Sequence, residues 1–142
     1  MTLRAVGLVL TWLVAVTLPC NSLADIAVIV HPDNEQTLTK TDIYRLFLGK
    51  RRYFPDGSKA TPLDLIDGAE TREEFTREFL HKSSQQLKSY WAYRRFTGKG
   101  SAPRQVESDL EVKQLIATSP GHIGYIDSGL VDDSVRVIYQ FE

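Results

Sequence analysis

Apolar positions along this chain fall into two periods. From Asp25 to Val30 (DIAVIV) they run unbroken and rich in β-branched residues, which suits a strand buried on both faces of a mainly parallel sheet. His31-Pro32-Asp33-Asn34 stops that run, and the spacing then changes: Ile43, Leu46 and Phe47 fall at i, i+3 and i+4, one apolar face of a helix. Thr39 is its N-cap with Asp42 in the acidic place of a capping box, and Gly49 is its left-handed stop. Lys50, Arg51 and Arg52 bring the backbone into water, Tyr53 and Phe54 return to an apolar surface, and Pro55-Asp56-Gly57 is a turn.

Ala60 to Ile66 (ATPLDLI) reads as a second strand, which Pro62 limits to an edge or an end. A helix from about Thr71 to Leu80 follows, with Phe75 and Phe79 inward. Thr71 with Glu74 and Asp67 with Glu70 are competing capping pairs for its start. Ser83 with Gln86 opens a third helix running to Phe96, in which Leu87, Tyr90 and Trp91 recur at helical spacing as core. After a polar loop from Thr97 to Pro103, Ser108 with Glu111 opens a fourth helix, with Val112, Leu115 and Ile116 inward and Ser119-Pro120-Gly121 as its close. Ile123 to Ile126 is a short strand whose Gly124 marks a close backbone approach or a bulge, and Val135 to Phe141 is the last strand. Strands interleaved with helices predict an α/β domain in three layers.

Three stretches carry a resemblance. Leu38 to Ser58 (LTKTDIYRLFLGKRRYFPDGS) resembles the helix and loop in the second lobe of phosphate-type periplasmic solute-binding proteins. Ser119 to Ile126 (SPGHIGYI) resembles a later helix-to-strand phrase of such lobes, and Tyr90 to Gly100 (YWAYRRFTGKG) is similar to short, single-lobe members of the group. The resemblance spans nearly all of residues 26 to 140, in order. It implies a single lobe of the type II periplasmic-binding-protein-like fold, with a mixed, mostly parallel sheet and helices on both faces. It also implies a protein that binds phosphate or a related oxyanion without covalent chemistry, delivers it to an ABC-type membrane transporter, and needs no cofactor.

Composition sets the compartment. Arg4, the apolar run from Ala5 to Leu18 and the close at Ser22-Leu23-Ala24 read as a secretory signal, with cleavage after Ala24 and a periplasmic domain over 25–142. The run is about fourteen residues, short of the roughly 20 that a membrane span needs. Removing 24 of 142 residues leaves 118 with no cysteine; the basic count falls from 17 to 16 against 18 acids, a net charge of −2. Export and that balance argue against nucleic acid as a partner, despite Arg94, Arg95, Lys99 and Arg104.

Enzyme motifs are missing from the sequence. His31, His81 and His122 lack the spacing of a helical metal site, there is no G-x-S-x-G elbow or phosphate loop, and adjacent Glu73 and Glu74 point about 100° apart on a helix. A binding site is better supported. Where the resembled lobes carry a Ser-Gly-Thr turn, this chain has Gly68-Ala69-Glu70-Thr71 leading into Arg72. There Gly68 lets an oxyanion approach the backbone, Thr71 donates its hydroxyl and Arg72 supplies charge, at a helix N-terminus. The arginine that precedes the turn in the resembled family is absent, and Asp64 and Asp67 stand in that stretch. A lone lobe cannot close over a ligand, so a firm grip needs a second wall from another subunit of a homo-oligomer or from another protein. The alternative is an adaptor that docks a protein through Tyr44, Tyr53, Phe54, Tyr93 and Phe96 with Arg51, Arg52, Arg94 and Arg95.

Overall fold

The computed structural model describes residues 25 to 141; the leader read over residues 1 to 24 lies outside the described residues. The elements are β1 (Ile26–Val30), α1 (Lys40–Phe47), β2 (Thr61–Leu65), α2 (Glu70–Glu74) running into a π-helical turn (Phe75–Phe79), α3 (Ser84–Phe96), β3 (Arg104–Val106), α4 (Asp109–Thr118), β4 (His122–Asp127), a 3-10 turn (Ser128–Leu130) and β5 (Arg136–Phe141). One mixed sheet carries the strands in the order β3-β2-β4-β1-β5.

The fold class stands as expected, with one refinement of strand direction. β2 runs parallel to both β3 and β4, so parallel pairing is confined to that side. β1 is buried at all five positions, as its apolar run requires, yet it pairs antiparallel with both β4 and β5. Burial on both faces comes from layers above and below, which coat an antiparallel strand as well as a parallel one. Pro62 sits at the second residue of β2 and therefore at a strand end, while β2 itself is interior to the sheet.

β4 shows how the two faces are filled, because its side chains alternate. A Cβ on Gly124 would lie 2.7 Å from Val112 and 2.9 Å from Ile116, so α4 presses against the strand on that side. The register through Gly124 is regular, which resolves the close-approach reading in its favour. The next residue, Tyr125, points to the other face, where its ring stacks on Phe75 at 3.8 Å and meets Phe47 edge-on at 5.8 Å. Such aromatic pairs are worth about 0.5–1.5 kcal/mol each beyond burial.

The helix predicted over 71–80 is α2 followed by the π turn, closed by the Leu80 N–H donating to the Phe75 carbonyl at 3.2 Å. Phe75 and Phe79 stack at 5.1 Å, and from the widened turn both rings reach Phe141 on β5, at 6.4 and 5.7 Å. The capping boxes at Thr39/Asp42 and Ser83/Gln86 form as read. Neither competing pair caps α2: its N-cap is Ala69, with no side-chain cap. β3 lies between the 97–103 loop and the fourth helix, where the sequence pattern assigns no element; it is a three-residue strand that exists through its pairing with β2.

Candidate functional site

The parallel side of the sheet organises one end of the molecule. β2 leads through Asp67-Gly68-Ala69 into α2, and β3 leads through Glu107-Ser108 into α4, so both helices begin at the carboxyl edge of parallel strands, where open α/β sheets form binding crevices. A helix start carries partial positive charge and N–H groups without intrahelical partners. The Ser108 hydroxyl accepts the Glu111 N–H in α4, whereas α2 begins without a side-chain cap.

Gly68 sits at φ +86°, the left-handed conformation that favours glycine, and nothing lies within 4 Å of where its Cβ would be. The backbone there is open to approach. Thr71 donates its hydroxyl to Asp109 Oδ2 at 2.9 Å, and the same oxygen accepts the Asp127 N–H at 2.8 Å. Asp109 thereby joins the starts of α2 and α4 to the end of β4.

Arg72 turns inward and is 6% exposed. Its Nε donates to Asp64 Oδ2 at 3.1 Å, and Asp64 Oδ1 accepts the Tyr125 hydroxyl and the Leu65 N–H. Burial pushes the Asp64 carboxyl above the usual carboxylate range, against the pull of Tyr125 and Arg72. Burial also drives the Tyr125 phenol well up, and the adjacent Asp64 adds to that. For Arg72 burial opposes the charge, but Asp64, Tyr125 and Asp67 outweigh it and hold the guanidinium above its ordinary value. The outer nitrogen, Nη1, lies 2.8 Å from Asp67 Oδ1, yet its N–H groups are not aligned for a hydrogen bond. Asp67 is itself 66% exposed.

Gly68, Thr71 and Arg72 thus lie together at one edge, with Thr71 and Arg72 each already engaged by carboxylates. Glu74, beside them on α2, is buried, and its carboxyl is raised by burial first, opposed by Arg77 and reinforced by Glu78 and Glu70. The sequence reading found the turn but not Asp109 or Tyr125, which reach it from α4 and β4 and have no local signature.

The aromatic and arginine residues named for docking separate into two groups. Phe54 is core, Tyr44 is half-buried, Arg51 pairs with Asp42 at 2.6 Å, and Arg94 donates to the Gly49 carbonyl at 2.9 Å. Tyr53, Tyr93 and Phe96 stay out, at 56%, 63% and 92% exposure.

The fold is similar to about half of each of several solved phosphate-type solute-binding proteins. Solved structures that match it include a phosphate ABC transporter substrate-binding protein from Clostridium perfringens with bound phosphate (23% identity, TM-score 0.63) and an ABC-type phosphate transport receptor from Vibrio cholerae (20%, 0.64). PstS from Borrelia burgdorferi also matches (15%, 0.57). Each match covers 81% of this chain and 45%, 46% and 47% of the respective neighbour, so the chain spans about half the length of the structures it matches. No protein-family model matches the sequence, and no curated protein does.

Proposed function

We propose that the chain is an exported solute-binding lobe that takes a small oxyanion of the phosphate class, without catalysis, at the turn Gly68-Ala69-Glu70-Thr71 and Arg72. The observation that carries this reading is the state of Arg72: a buried cation whose inner nitrogen is fixed on Asp64 and whose outer nitrogen meets only an exposed, misaligned Asp67. An oxyanion arriving over the open Gly68 replaces Asp67 at Nη1, takes the uncapped N–H groups of α2, and accepts the Thr71 hydroxyl when it turns from Asp109. The neighbours' phosphate binding and transport roles support the ligand class and an ABC-type transporter as the recipient. Export follows from the leader read over residues 1 to 24, with the mature domain over 25–142.

Asp67 is then the oxyanion's competitor for Arg72 Nη1. In calorimetric titrations with phosphate and sulfate, Asp67→Asn tightens binding by about tenfold, equal to about 1.4 kcal/mol, while Thr71→Val weakens it. Saturable heat that ignores both substitutions, or no heat at millimolar anion, rejects the site.

A second reading rests on the exposure of Tyr53, Tyr93 and Phe96, which are residue types enriched at protein interfaces. Here the lobe docks a periplasmic protein or another copy of itself. Phe96→Ser then abolishes a stoichiometric complex seen by sedimentation while leaving oxyanion binding unchanged.

A further inference from the structure

At the opposite end of β2 from the Gly68 turn, separated from it by roughly 16 Å of strand, lies a cavity of about 360 Å³. Its walls are the loop after α1, with Gly49, Arg51 and Arg52, and the loop before β3, with Lys99 and Gly100; Leu46 and Trp91 form its floor. That volume is within the range of small-molecule sites, and an apolar floor under a few convergent polar groups is their usual makeup.

Charge gives the cavity its character. Arg51 is answered by Asp42 at 2.6 Å, and its Nε donates to the Tyr53 carbonyl at 2.9 Å. Arg52 and Lys99 have no carboxylate partner among the described residues, and no acid lines the cavity. Two unanswered cations therefore face one concavity. The walls are also braced before any ligand arrives. Arg94 Nη2 donates to the Gly49 carbonyl at 2.9 Å and to the Lys99 carbonyl at 3.0 Å, bridging the two loops, and the Tyr90 hydroxyl donates to the Leu48 carbonyl at 2.7 Å. Gly49, at φ +67°, lets the Trp91 ring come so close that a Cβ there would sit 3.0 Å from it, which seals the floor. Preformed walls spare a ligand the cost of ordering two loops.

We infer that this cavity is a second binding site, for a small organic anion whose charged end meets Arg52 and Lys99 and whose apolar body rests on Leu46 and Trp91. It shares no residue with the oxyanion site at Gly68 and stands or falls independently of it. A bare inorganic anion uses only the rim; the floor selects for an attached apolar group.

Phenyl phosphate is the probe, with phenol and inorganic phosphate as its two halves. Followed by backbone-amide NMR on the whole chain, phenyl phosphate gives saturable shifts at Gly49, Gly100 and Ser101, and each half alone binds there at least tenfold more weakly. Read at the Gly49, Gly100 and Ser101 amides, the exposed pair substitution Arg52→Ala with Lys99→Ala, checked by circular dichroism for an unchanged fold, weakens phenyl phosphate at least tenfold, and loss of the Gly68 site in Thr71→Val leaves the affinity at those amides unchanged. Absence of saturable shifts at these amides, shifts confined to Gly68 through Arg72, or equal affinity in the double variant would overturn the inference.

Discussion

Asp64 is buried, with the Tyr125 hydroxyl on one carboxylate oxygen and Arg72 on the other. Its partner Tyr125 stands 61 positions away, and no local pattern encodes that meeting. Removing the carboxyl leaves the buried Tyr125 hydroxyl and Arg72 Nε without their acceptor, so Asp64→Ala destabilises the protein by about 3 kcal/mol, read by urea denaturation. Because the Asp64 carboxyl is raised in the folded state, its protonation favours folding: that contribution is complete below the unfolded value and is lost as pH rises through the folded one. Gly124 was far more legible, since a glycine inside an apolar strand signals close approach. Gly124→Ala forces a Cβ into Val112 and Ile116 and costs about 1–3 kcal/mol in the same measurement.

Among the elements, legibility follows how local the determinants are. α1 and α3 were readable to their caps because each capping box closes within four residues of chain. The start of α2 was not, although two capping pairs were offered: Thr71 spends its hydroxyl on Asp109 and Glu74 is buried, so tertiary partners outcompeted local ones. The π turn was hidden for a related reason, since Phe75 and Phe79 at i and i+4 fit an α-helix equally well. β3 offers three residues, too few for an alternation to show. At α1, Thr39→Ala removes both hydroxyl bonds of the box and lowers stability by about 1 kcal/mol. The Asp42 carboxyl is held below its ordinary 3.8, chiefly by Thr39 and then by Arg51. Its contribution is thus present above 3.8 and lost as pH falls through the lower folded value, so Asp42→Asn flattens the acid limb of a stability-versus-pH curve in that window.

For the whole molecule, interleaved strands and helices were enough to specify a layered α/β lobe, but not the direction of every strand. β1 takes both neighbours, β4 and β5, from the far end of the chain, and a continuous apolar run carries no record of which way a distant partner will lie. The candidate site was legible as a turn with Asp64 and Asp67 beside it, but not as a balance of charge, because Asp109, which engages Thr71, comes from α4, and the inward turn of Arg72 onto Asp64 depends on packing around β4. A ligand that binds only the folded state stabilises it by mass action, so phosphate at 100 times its dissociation constant adds about 2.7 kcal/mol and raises the melting temperature. Backbone-amide NMR during titration with inorganic phosphate locates the origin of that stabilisation. Phosphate binding at the turn produces saturable shifts that share one dissociation constant at Gly68, Ala69, Glu70, Thr71 and Arg72. Amides that stay in place there at millimolar phosphate, or that move only elsewhere, would contradict it.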